Sequence, residues 1–145
     1  MPNLHISPED RVRLKHMLDA SLEIQQYVQS ATRRDLDCDP KLVHSLVHLF
    51  EIIGESANQV SDELREIAAD IPGFVIIGMR NRLIHAYFNI DLNVVWSTAT
   101  QDVPSVIAEL KKLLMKLRWS AKTFYAEPTF SHWSINLLRD VTFPS

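Results

Sequence analysis

Apolar residues recur along most of this chain at intervals of three and four, the spacing of helices with one buried face. Val12, Leu14, Met17, Leu18, Leu22, Ile24 and Val28 follow it from Pro8 to about Ala31. The preceding Ser7-Pro8-Glu9-Asp10 is a helix start. Ser7 supplies a hydroxyl for orphan amides, Pro8 is tolerated in the first turn, and the two acids meet the positive end of the helix dipole. The polar stretch RRDLDCDP reads as a loop. Asp39-Pro40 repeats the cap-plus-proline start and opens a second helix, KLVHSLVHLFEIIGESANQV, to about Val60. Ser61-Asp62-Glu63 opens a short acidic helix that stops at Ile71-Pro72-Gly73, since proline and glycine both break helices. A fourth helix is expected from about Phe74 to Phe88. Asp91 caps a fifth, reaching about Ala121, with Pro104 placed to kink or split it near TQDVP. The tail AEPTFSHWSINLLRDVTFPS shows no clear period. No repeat, low-complexity tract or linker interrupts the pattern. One domain over residues 1–145 is expected, an all-α up-and-down helical bundle of four to five helices.

Composition agrees with this and narrows the chemistry. Of 145 residues, 46% are hydrophobic and 23% charged, and only three are glycine. The net charge of −3 and pI near 6.0 leave no global field for a polyanion, so any nucleic-acid contact requires a local cluster of positive charge. The single cysteine, Cys38, makes no intrachain disulfide and suits a reducing compartment, so a cytoplasmic protein is expected. MPNLHISPEDRVRLKH lacks the basic-then-apolar order of a signal peptide. No apolar run approaches the ~20 residues of a membrane span, and no membrane association is expected.

Two polar constellations stand out. On the second helix, His44, His48, Glu51 and Glu55 fall within about 60° of one another at helical periodicity. These are metal-ligand types, and bundles do build carboxylate–histidine sites. However, no second helix carries a matching set, and the rest of this helix is apolar almost all round. A polar cleft wall or a subunit interface is the preferred reading, with no metal or other cofactor.

The second constellation is RNRLIHAYF, residues 80–88. Arg80 and His85 lie about 140° apart around a helix, while Asn81 and His85 are neighbours at i,i+4. A histidine near neutral pKa can move a proton to or from a 2′-hydroxyl or a leaving 5′-oxygen. An arginine fork suits a phosphate whose charge shifts during transfer. The set therefore suits RNA cleavage without a metal, although such residues are also ordinary on a solvated helix surface.

The run IPGFVIIGMRNRLIHAYFNIDLNVVW resembles the signature of the HepT-like HEPN proteins, toxin partners of minimal nucleotidyltransferases (MNT). In that family the motif reads Arg, four residues, His, one residue, Tyr, and Arg80, His85 and Tyr87 match it, with Asn81 in its usual place. The upstream IIGESANQVSDEL resembles the family's Ile-Gly-Glu-Ala helix end, with Ser56 replacing Ala. The similarity spans about residues 8–118. Gly73 and Ala86 stand where members commonly have Trp and Gly, and the tail from about Ser120 lies outside it.

The resemblance implies a HEPN-like bundle that forms a homodimer around a cleft shared by two motif helices. It implies a metal-independent endoribonuclease acting on RNA, with His85 as acid/base, Arg80 on phosphate and Asn81 supporting the local geometry. Glu55, Glu51 and His48 are candidates for the cleft wall. It also implies a cognate nucleotidyltransferase antitoxin, which in some members transfers AMP to the motif tyrosine, here Tyr87. The alternative is a non-catalytic, nucleotide- or protein-binding partner subunit of a nucleotidyltransferase.

Overall fold

The computed structural model describes residues 6–69 and 90–124. The four capped starts expected within these residues all form, each by a short side chain accepting orphan backbone amides. Ser7 Oγ accepts from the Asp10 amide at 3.1 Å and opens α1, Pro8–Gln29. Asp39 Oδ1 accepts from Lys41 and Leu42 at 3.1 and 3.3 Å and opens α3, Pro40–Gln59. Ser61 Oγ accepts from Leu64 at 3.2 Å and opens α4, Asp62–Ile67. Asp91 Oδ1 accepts from Asn93 and Val94 at 2.9 and 3.3 Å and opens α5, Leu92–Ser97.

Between α1 and α3 the structure corrects one expectation. The stretch read as a loop contains a turn of helix, α2, Asp35–Cys38. Its single apolar residue, Leu36, is 3% exposed, so the turn winds in order to deliver one anchor to the core.

The fifth helical stretch is continuous, but its winding changes just ahead of Pro104. α5 runs into a π-helical turn, Thr98–Asp102, in which the Val103 amide reaches back five residues to the Thr98 carbonyl. The rod then continues as α6, Val103–Phe124. Proline has no N–H, so the Thr100 carbonyl lacks its ordinary i+4 donor, and the wider turn absorbs that defect without ending the rod.

The described residues are thus all-α, with three long rods (α1, α3 and α5–α6) and two short helices, and with no strand among them. α1 packs against both α3 and α6. It contributes Leu14, Met17, Leu18 and Ile24, meeting Leu46, Phe50 and Ile53 of α3 and Val103, Val106, Leu110 and Leu117 of α6. The spacing of three and four within each set is what keeps all of these on one face. Leu64 of α4 and Val95 of α5 are fully buried and dock the two short elements onto the same core.

The end expected at Ile71-Pro72-Gly73, the helix expected over 74–88 and the aperiodic tail lie outside the described residues. No described helix is long and apolar enough to cross a membrane.

Candidate functional site

The α3 stripe is where the described residues carry candidate chemistry. His44, His48 and Glu55 are exposed and Glu51 is half-buried, while Val43, Leu46, Leu49, Phe50 and Ile53 take the opposite side. The helix is apolar round most of its circumference, so packing it on α1 leaves this one polar strip facing out. His48 Nδ1 lies 4.0 Å from Glu51 Oε2, within ion-pair range but too far for a hydrogen bond. Gln59 Nε2 donates to Glu55 Oε1 at 2.7 Å one turn further along. These are i,i+3 and i,i+4 contacts along a solvated strip. Among the described residues, no three or more His, Cys, Asp or Glu side chains are placed to hold a metal ion. The four stripe residues share a face without converging on one point.

The motif residues Arg80, Asn81, His85 and Tyr87 lie outside the described residues. What the structure does show is how the chain is anchored on either side of them. Upstream, Arg65 Nη2 donates to the Asn58 carbonyl at 2.6 Å, capping the last turn of α3 and binding α4 to it. Downstream, Arg33 Nε donates to Asn93 Oδ1 at 2.7 Å, tying the α1–α3 connection to the first turn of α5. Ala68 and Ile90, the flanking apolar positions, both pack against the core.

A third anchor escaped the sequence reading. By position Asp10 is one of two acids at a helix dipole, yet it is 1% exposed and holds α4 in place. Ser61 donates to it twice, from its amide to Oδ1 at 3.1 Å and from its hydroxyl to Oδ2 at 2.6 Å, while Arg13 Nη1 reaches Oδ1 at 3.3 Å. Burial by itself raises the Asp10 pKa. The bonds from the Ser61 hydroxyl and amide and from Arg13 outweigh it and hold the carboxyl below its ordinary value. The Ser61 hydroxyl thus does two things, accepting from Leu64 to cap α4 and donating to Asp10. The only local sign of this was a Ser and an Asp at two separate helix starts, with nothing to pair them.

Comparison with known proteins adds what geometry alone does not supply. Residues 17–113 match the family model described as ribonuclease HepT-like. A probable ribonuclease HepT of Thermococcus cleftensis is 31% identical over 100 residues, 69% of this chain and 91% of that protein. A protein of Caldanaerobacter subterraneus subsp. tengcongensis, named as a candidate RNase, is 32% identical over 106 residues, 73% of this chain and 95% of the relative. In Methanocaldococcus jannaschii, a chain named as both a gamma-glutamylcyclotransferase and a candidate RNase is 30% identical over 107 residues, 48% of its length. No solved structure matches. On the family match and these relatives, the chain belongs to the ribonuclease HepT-like family.

Proposed function

We propose that this protein is the toxin of a type II toxin–antitoxin pair, a metal-independent endoribonuclease. The observation that carries the reading is Arg80–His85–Tyr87 at its family spacing inside the 17–113 match. His85 takes the proton from a ribose 2′-hydroxyl as its oxygen attacks the adjacent phosphorus, or returns one to the departing 5′-oxygen. The products are a 2′,3′-cyclic phosphate and a free 5′-hydroxyl. Arg80 offsets the charge that grows on the phosphoryl oxygens, and Asn81, one turn before His85, orients the ring. On the helix expected from the sequence, Arg80 and His85 would lie about 140° apart, so a cleft between two copies of the chain would suit them better than a site on one. His48, Glu51 and Glu55 are the candidates for its polar wall.

Control falls to a nucleotidyltransferase antitoxin. The Tyr87 hydroxyl loses its proton and attacks the α-phosphorus of ATP, pyrophosphate leaves, and the tyrosine carries AMP. The new phosphodiester places negative charge and bulk where the RNA backbone must lie. The net charge of −3 favours a second reading, a partner subunit that binds the nucleotidyltransferase without cutting RNA.

The test is cleavage of single-stranded RNA in the presence of EDTA. We expect His85→Ala to lose roughly 10²–10⁴-fold in rate and Arg80→Ala about 10²-fold or more. Equal cleavage by wild type and both variants would overturn these roles. No cleavage by any of them would favour the partner-subunit reading.

A further inference from the structure

The chain is acidic overall, yet one element runs strongly the other way. α6 carries Lys111, Lys112, Lys116, Arg118 and Lys122 against a single acid, Glu109. α3, with Lys41 against Glu51 and Glu55, and α4, with Arg65 against Asp62, Glu63 and Glu66, are both net acidic. One third of the fifteen basic residues therefore sit on one helix of a protein whose net charge is −3.

Packing decides where this charge faces. Val103, Val106, Leu110, Leu113 and Leu117 are buried and turn one side of α6 to the core. At helical periodicity Lys111, Lys112, Met115 and Lys116 fall on the other side, spread over roughly 140° of arc. Lys112 and Lys116 are exposed, and Lys112 makes one surface ion pair, with Glu109 at 3.2 Å. Lys111 and Lys116 form no ion pair among the described residues. Met115 lies among these lysines and is 40% exposed, an apolar, deformable surface framed by ammonium groups. The helix continues through Arg118 and Lys122, seven and eleven residues beyond Lys111, so the basic positions span about 16 Å of its length. The family match ends at residue 113, midway along α6, so Met115, Lys116, Arg118 and Lys122 belong to the part of the helix beyond it.

We propose that the outer face of α6 is an RNA-backbone surface, built from Lys111, Lys112 and Lys116, which holds single-stranded substrate beyond the cleaved bond. The proposal rests on the ribonuclease reading for the identity of the polyanion. A chain with a repulsive net charge needs a local cluster to concentrate RNA, and this is the one described helix that supplies it. Lysines act here as point charges on phosphates, so the surface recognises RNA without regard to sequence.

The test uses full-length protein and a labelled single-stranded RNA oligonucleotide whose 2′-hydroxyls are all methylated, which removes the attacking group and lets binding be read without cleavage. We expect K111Q/K112Q/K116Q to bind roughly tenfold more weakly, and the slope of log affinity against log salt between about 50 and 200 mM to fall by about two. K111R/K112R/K116R keeps the charge and should retain both values, and unchanged thermal melting of both triples shows that the fold is intact. Wild-type affinity and slope in the glutamine triple overturn the proposal, including the case in which these lysines serve an acidic protein instead. Equal weakening by the arginine triple overturns it too, because charge would then not be the cause. A wild type that binds this oligonucleotide yet cleaves no RNA refutes the ribonuclease reading alone, whereas one that cleaves RNA while the glutamine triple binds normally refutes the α6 surface alone.

Discussion

Asp10 is a carboxylate removed from water and repaid with three hydrogen bonds, two from Ser61 and one from Arg13. Its lowered pKa has a consequence of definite sign. A carboxyl whose pKa is depressed by folding stabilises the native state at pH values above its unfolded pKa, and the contribution is lost as pH falls through the folded value. We expect Asp10→Asn to cost on the order of 1–3 kcal/mol at neutral pH, with the gap to wild type closing below about pH 4. Denaturant titrations at several pH values measure it, and a gap that does not change with pH would refute the assignment. The pairing could not be read from sequence because Asp10 and Ser61 are 51 residues apart. Each residue by itself looks like a helix-start residue, which it also is. His48, Glu51 and Glu55 were legible for the opposite reason, since a shared helical face depends on spacing within a single element.

At the scale of elements, the caps were the clearest signals, because a cap involves a residue and amides two or three positions on. Asp39 illustrates this, with one carboxylate oxygen serving both Lys41 and Leu42 at the head of α3. Asp39→Ala should lower stability by about 1 kcal/mol, seen as a lower denaturation midpoint with an unchanged slope. A loss within error of zero would mean that packing alone holds the start of α3. Pro104 is placed to kink or split the rod, and what forms beside it is a π turn whose shape the surroundings decide. Thr98 and Ala99 are buried, so the rod widens into a π turn and stays in the core. α2 was missed because Leu36 is a lone apolar residue among acids. Its burial depends on a neighbour that periodicity cannot name.

For the whole molecule, charge and assembly are the open dimensions. A shared cleft requires two copies, so sedimentation at assay concentrations should return the mass of a dimer. Full RNA cleavage by a species of single-chain mass would refute the shared cleft. The α6 surface is a whole-molecule property in the same sense. Its lysines were visible one by one, but their weight came from summing charge helix by helix and from knowing which side of α6 is buried.

The helical periods, the caps that start them and the spacing of Arg80, His85 and Tyr87 are all legible along the chain. These depend on residues a few positions apart, and backbone geometry fixes how such residues relate. Packing adds to these a second role for Asp10, which stays in the first turn of α1 and also holds Ser61. Packing also leaves the α3 stripe facing outward and turns Lys111, Lys112 and Lys116 of α6 away from the core. Each of those outcomes depends on which distant surfaces bury one another, and spacing along a chain does not encode that choice.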